Sequence, residues 1–198
     1  GCLNTLLIGS GLSLLACIII TPILIPLLTR LKFGQSIREE GPAWHQKKSG
    51  TPTMGGLAII CAVVFGSLAA YFISGNFGVT EISLVVGSLL FGIIGFADDF
   101  IKVHFRRNEG LSAGWKLLLQ FAVACAVSAY AFFGTTTRGT LFLPFTFAGV
   151  DLSWFALPYY VFVFLAFTNS VNLTDGLDGL AASVTFVWLV SFSVLLLV

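Results

Sequence analysis

Charge is what this chain has least of. Only 10% of its 198 residues are Asp, Glu, Lys or Arg, against about 25% in an ordinary soluble domain. Hydrophobic residues make up 57%, and mean hydropathy is +0.99. A soluble fold of this length needs more polar surface than that, which excludes a soluble globular protein, a disordered chain and a nucleic-acid-binding domain with a basic face. The net charge of +1 says nothing about partners; the placement of the few charges does. Cysteine is also sparse. Cys2, Cys17, Cys61 and Cys125 form no C-x-x-C pair, and they read as small buried hydrophobes, with neither a disulfide framework nor a zinc site. Met54 is the single methionine, and the chain stops inside an apolar run at Val198, so a fragment of a longer protein is expected. No basic segment with a small-residue cleavage site opens it as a signal peptide would. Fixed-period repeats and low-complexity segments are absent.

What the chain does have is long apolar runs. A helix needs about 20 apolar residues to cross the hydrocarbon core. Six stretches qualify or nearly so: about 6–28, 54–73, 82–97, 115–133, 154–168 and 180–198. The expected fold is therefore all-α, a polytopic transmembrane helix bundle forming one integral-membrane domain over 1–198. The connecting segments are of two kinds. Arg30, Lys32, Arg38, Lys47 and Lys48 surround the first connection, and Lys102, Arg106, Arg107 and Lys116 the third; the alternate segments hold only Arg138. Positive charge marks the cytoplasmic side. The N-terminus is thus expected outside, with segments 31–53, 98–114 and 169–179 in the cytoplasm. The outer segment 135–153 contains LFLPFTFAGVDL, whose partial alternation fits a small hairpin.

Three polar clusters fall on the cytoplasmic side. The first is GIIGFADDFIKV, where Asp98 and Asp99 lie between apolar residues. Adjacent carboxylates at a membrane boundary repel each other and need a cation. Lys102 lies four residues after Asp98 and three after Asp99, within reach on a helix. A hard divalent ion suits the pair too, since Mg²⁺ takes one or two carboxylates plus water and phosphate oxygens. Glu39, Glu40 and Glu109 lie in polar stretches and read as solvated acids. The second cluster is TNSVNLTDGLDGLA, with Asn169, Asn172, Asp175 and Asp178 at every third residue. Gly176 and Gly179 disfavour an unbroken helix, so a helix end, a turn and a new helix start are expected. Such a turn exposes backbone N–H groups to a ligand, and a simple cap would need one Asp or Asn where this stretch has four. The third cluster is GPAWHQKKSGTPTMGG. It is not a Walker A loop, but Thr51, Thr53, Gly55 and Gly56 with Lys47 and Lys48 suit a phosphate. His45 reads first as a surface histidine, and His104 as a phosphate or headgroup neighbour.

Carboxylates, lysines and glycine turns in front of apolar helices suit a polyphosphate headgroup meeting a lipid. At KKSGTPTMGG (47–56), GFADDFIKV (95–103), GLSAGWKLLLQ (110–120) and NSVNLTDGLDGLA (169–181), the chain closely resembles the phospho-N-acetylmuramoyl-pentapeptide transferases, a branch of the polyprenyl-phosphate sugar-1-phosphate transferases. The resemblance runs through nearly the whole chain in order and spacing. GlcNAc-1-phosphate transferases share the acidic pair and the DG-x-DG stretch but usually lack TPTMGG.

That resemblance implies a bacterial plasma-membrane enzyme of ten helices, a homodimer with an outward N-terminus, a cytoplasmic active site and dependence on Mg²⁺. Its partners would be UDP-MurNAc-pentapeptide, undecaprenyl phosphate and the surrounding lipids, with no nucleic acid. Its reaction moves phospho-MurNAc-pentapeptide onto undecaprenyl phosphate, gives the first lipid intermediate of peptidoglycan, and releases UMP. By the same resemblance the catalytic residues are Asp98, Asp99, Asp175 and Asp178. Asp98 would be the base for the lipid phosphate and Asp99 its electrostatic partner, and both are candidate metal ligands. Lys48, Thr53, Lys102, Asn172, Gly176 and Leu177 would bind substrate. The family's main Mg²⁺ ligand, a further Asp, and its His-rich motif would lie beyond Val198, so this chain alone is expected to be inactive.

The physical task is attack by a phosphate dianion on a diphosphate, where a divalent cation and lysines relieve repulsion between like charges. Direct attack aided by Asp98 is favoured over a phospho-aspartyl enzyme. The alternatives are a GlcNAc-1-phosphate transferase, a transporter half, and a non-catalytic membrane scaffold. A transporter relay would need acids near the middle of a span, whereas these acids lie at span ends.

Overall fold

The computed structural model describes residues 2–30, 54–75, 78–105, 109–135, 139–142, 149–175 and 179–197. Lys48, Thr53, Gly176, Leu177 and Asp178, expected above to line the site, lie outside the described residues. The elements are α1 (Cys2–Arg30), α2 (Gly56–Ser74), α3 (Val79–His104), α4 (Ala113–Gly134), β1 (Thr140–Phe142), β2 (Gly149–Asp151), a 3-10 turn (Ser153–Phe155), α5 (Ala156–Thr174) and α6 (Leu180–Leu197). Among the described residues, five helices are long and apolar enough to cross a membrane, and Leu180–Ser191 of α6 is a shorter apolar helix. The protein is all-α and multi-pass.

Two units form within the chain, Gly1–Val123 and Ala124–Val198. In the first, α1 and α2 pack through small residues. Ala58, Ala62 and Gly66 recur every fourth residue of α2 and are buried. A Cβ added to Gly66 would lie 2.7 Å from the Gly9 carbonyl oxygen and would overlap the Ser13 side chain. The two backbones are therefore nearly in contact. Lipid tails give no hydrophobic drive for helix association, so close van der Waals packing of this kind holds such pairs together.

Large apolar side chains face outward instead. Leu14, Ile18 and Ile23 on α1 and Phe162 and Phe167 on α5 are all exposed, as a lipid-facing surface requires. Several hydroxyls on the spans bond back to their own helices, which removes the cost of an unpaired donor in hydrocarbon. Thr21 donates to the Cys17 carbonyl at 2.7 Å and Ser88 to that of Leu84 at 2.7 Å. Pro22 and Pro26 lie inside α1, where a membrane helix tolerates them.

In the second unit, β1 and β2 pair antiparallel, with Leu141 opposite Val150. This is the small hairpin expected from the alternating segment. It leads into α5 through an Asp151 turn, in which the Asp151 carboxylate accepts the Ser153 N–H at 2.8 Å. Trp154 then packs on Phe132 and Phe133 of α4, with ring centroids 5.5 and 6.1 Å apart. Phe167 of α5 meets Trp188 of α6 at 5.7 Å.

Candidate active site

Helix α3 does not stop where its apolar run stops. The apolar run ends near Ala97 but is extendable there, with Asp98 and Asp99 expected at the helix terminus. The helix instead continues to His104, so both acids lie inside it, and Lys102 and His104 occupy its last turn. Basic side chains there complement the negative end of the helix dipole. The continuation also makes the expected pairing real. Lys102 Nζ is 2.6 Å from Asp98 Oδ2 and 3.2 Å from Asp99 Oδ1.

The start of α4 closes the other side of Asp98. Lys116 Nζ lies 3.5 Å from Asp98 Oδ2, and the Leu111 backbone N–H donates to Asp98 Oδ1 at 2.9 Å. Ser112 heads the helix. Its carbonyl accepts the Lys116 N–H at 2.9 Å, and its hydroxyl accepts the Trp115 N–H at 3.5 Å. These bonds fix the direction in which the Lys116 side chain leaves α4. Gly110 passes so close that a Cβ on it would lie 2.6 Å from the Asp98 carbonyl oxygen and 2.7 Å from the Asp98 carboxyl carbon. Only glycine leaves the carboxylate its present place.

The two adjacent acids thus differ sharply. The Asp98 side chain is 7% exposed, with both oxygens engaged. The Asp99 side chain is 36% exposed, and among the described residues Lys102 is its one partner. A buried carboxylate is tolerable only because ammonium groups and an amide compensate it; leaving such a carboxylate without its cations typically costs about 3–5 kcal/mol. The exposed Asp99–Lys102 pair belongs to the class worth about 0–1 kcal/mol.

Asp175 and Asn172 sit in the second unit. Helix α5 ends at Thr174, and Asp175 follows as its cap, with its N–H bonded to the Val171 carbonyl at 3.1 Å. Gly179 then takes a left-handed backbone (φ 77°), and its carbonyl accepts the Ser183 N–H at 2.9 Å at the head of α6. This is the helix end and new helix start that Gly176 and Gly179 foretold. Asp175 and Asn172 are both exposed. Asn169 is held more tightly, its amide donating to the Leu165 carbonyl at 2.9 Å.

Two carboxylates beside two lysines, at the end of an apolar helix, form a place where a phosphate and a divalent cation can meet. The model of glycosyl transferase family 4 matches residues 81–198, which takes in both acids, Lys102, Lys116 and the α5–α6 break. The chain belongs to glycosyl transferase family 4. Residues 48–60 also match phospho-N-acetylmuramoyl-pentapeptide-transferase signature 1. Curated proteins of that name are similar along most of the chain. The one from Halalkalibacterium halodurans is 46% identical over 180 residues, covering 90% of this chain and 55% of the relative. That from a Thermoanaerobacter species is 47% identical over 174 residues, covering 87% and 52%. That from Caldanaerobacter subterraneus is 43% identical over 196 residues, covering 98% and 60%. The chain spans about half the length of the curated relatives it matches.

Sequence reasoning singled out Asp98, Asp99 and Lys102 and their mutual reach. It missed the roles of Gly110, Leu111 and Lys116, although GLSAGWK was already among the quoted stretches. Nothing in the local pattern said which carboxylate the start of the fourth apolar run would meet.

Proposed function

We propose that the full-length protein transfers phospho-N-acetylmuramoyl-pentapeptide from its UDP carrier to undecaprenyl phosphate, releasing UMP. The observation that carries this reading is the 43–47% identity to transferases of that name along most of the chain, joined to the signature over residues 48–60. The basic loops favour an N-terminus outside and a site in the cytoplasm, and the similarity to bacterial transferases favours a bacterial plasma membrane. The reading takes residues 1–198 as part of one membrane domain, and the protein as a homodimer.

In this reading Asp98 assists deprotonation of the lipid phosphate, and Lys102 lowers the cost of bringing it to a diphosphate. Asp175, Asp178, Asn172, Gly176 and Leu177 serve the uridine diphosphate side, with Lys48 and Thr53. A divalent cation, Mg²⁺ in this proposal, fits the donor set in part. Among the described residues no group of three metal-ligating side chains occurs. Two carboxylates still suffice for an ion that completes its shell with phosphate and water, and Asp99 has more room for it than Asp98. When bound, the ion would neutralise diphosphate charge and stabilise the leaving UMP.

The test uses the full-length protein in membranes with undecaprenyl phosphate. UDP-MurNAc-pentapeptide is expected to yield a lipid-linked product and UMP, and excess UDP-GlcNAc to compete weakly. Preferential use of UDP-GlcNAc would assign the protein to the GlcNAc-1-phosphate branch instead.

A further inference from the structure

We infer that the start of α4 is the device that aims Asp98. Gly110 leaves space for its carboxylate, the Leu111 N–H fixes one oxygen and Lys116 the other, so Gly110 and Lys116 are positioning residues for the reaction. The inference rests on the transferase reading for its readout and on the α3–α4 geometry for its content.

Three observations converge on one side chain. Asp98 is 5% exposed, so its carboxylate cannot reorient into solvent without opening the junction. Its Oδ1 receives a backbone N–H at 2.9 Å, a donor that among substitutions only proline removes. Its Oδ2 sits between Lys102 at 2.6 Å, on its own helix, and Lys116 at 3.5 Å, on the next. Lys102 alone leaves the carboxylate free to turn about its Cβ–Cγ bond. The added contacts from α4 remove that freedom. The space is set by Gly110, whose missing Cβ would fall on Asp98. Gly114 supplies a contrast four residues later, because a Cβ there would meet nothing within 4 Å. A group that must meet a phosphate proton at hydrogen-bond distance loses rate steeply when displaced by about 1 Å. The same displacement leaves nucleotide binding elsewhere in the site largely intact.

The experiment measures kcat and KM for UDP-MurNAc-pentapeptide with the full-length protein in detergent, alongside its thermal midpoint. Gly110→Ala is expected to lower kcat at least tenfold, with KM within about twofold, while Gly114→Ala stays within about twofold in both. Lys116→Met is expected to lower kcat at least tenfold, and Lys116→Arg to recover part of that loss, because an arginine restores the charge at Oδ2. If Gly110→Ala fails to accumulate, the Lys116 pair decides. Gly110→Ala and Lys116→Met at wild-type kcat, with Asp98→Asn inactive, would overturn the positioning role and leave the transferase reading standing. Equal losses for Lys116→Met and Lys116→Arg, with KM rising in step, would also overturn it, since a lysine binding substrate directly behaves that way. Wild-type protein without transfer activity would instead sink the reading on which the inference stands.

Discussion

Asp98 and Asp175 are both acids at the edge of an apolar helix, yet the chain treats them in opposite ways. Asp98 is buried inside α3 and held by two lysines and a backbone amide. Asp175 is exposed where α5 breaks off, and its own backbone N–H serves the helix end. The first arrangement fixes a carboxylate in one orientation at the cost of desolvating it. The second leaves the carboxylate exposed to solvent. One chain thus carries a preset carboxylate and an accessible one.

Removing the divalent ion should have the largest effect. Chelation is expected to abolish transfer and added Mg²⁺ to restore it, while the thermal midpoint barely moves, because protein groups alone satisfy Asp98. A large drop in midpoint on chelation would mean that the metal is part of the α3–α4 junction. Asp98→Asn comes next. Transfer should fall by about 10²–10⁴-fold, the usual contribution of a positioned acid–base group. Unfolding stability should fall by about 1–3 kcal/mol, because the lysines lose their charged acceptor. Asp175→Asn should separate the two quantities: a fall in transfer, and stability within about 0.5 kcal/mol of wild type. Equal destabilisation by the two variants would erase the contrast between the sites. Asp99→Asn should lower stability by less than about 1 kcal/mol, as expected of a half-exposed pair with Lys102.

Much of the site was legible because its first pairing is local. Asp98, Asp99 and Lys102 lie at helical spacing on one element, so reach follows from periodicity. The break after Asp175 was legible from Gly176 and Gly179, and the hairpin from alternation in 135–153. How far α3 extends past Ala97 was not. The change from apolar to charged residues at Asp98 looked like a boundary, whereas the Asp98–Lys102 pair supports the next turn and carries the helix to His104. The α4 contacts were hidden for a different reason. Leu111 and Asp98 stand 13 residues apart, and which carboxylate meets the head of α4 depends on how two helices pack. Gly110 in sequence is an ordinary turn residue; only the neighbouring carboxylate reveals that its missing side chain matters.

The most direct test compares wild-type and Asp98→Asn full-length protein in membranes supplied with UDP-MurNAc-pentapeptide and undecaprenyl phosphate, with UMP release and lipid-linked product measured together. Wild-type membranes are expected to form both in equal amounts, and the variant to form almost none while still binding the nucleotide. Wild-type levels of product from the variant would contradict the account.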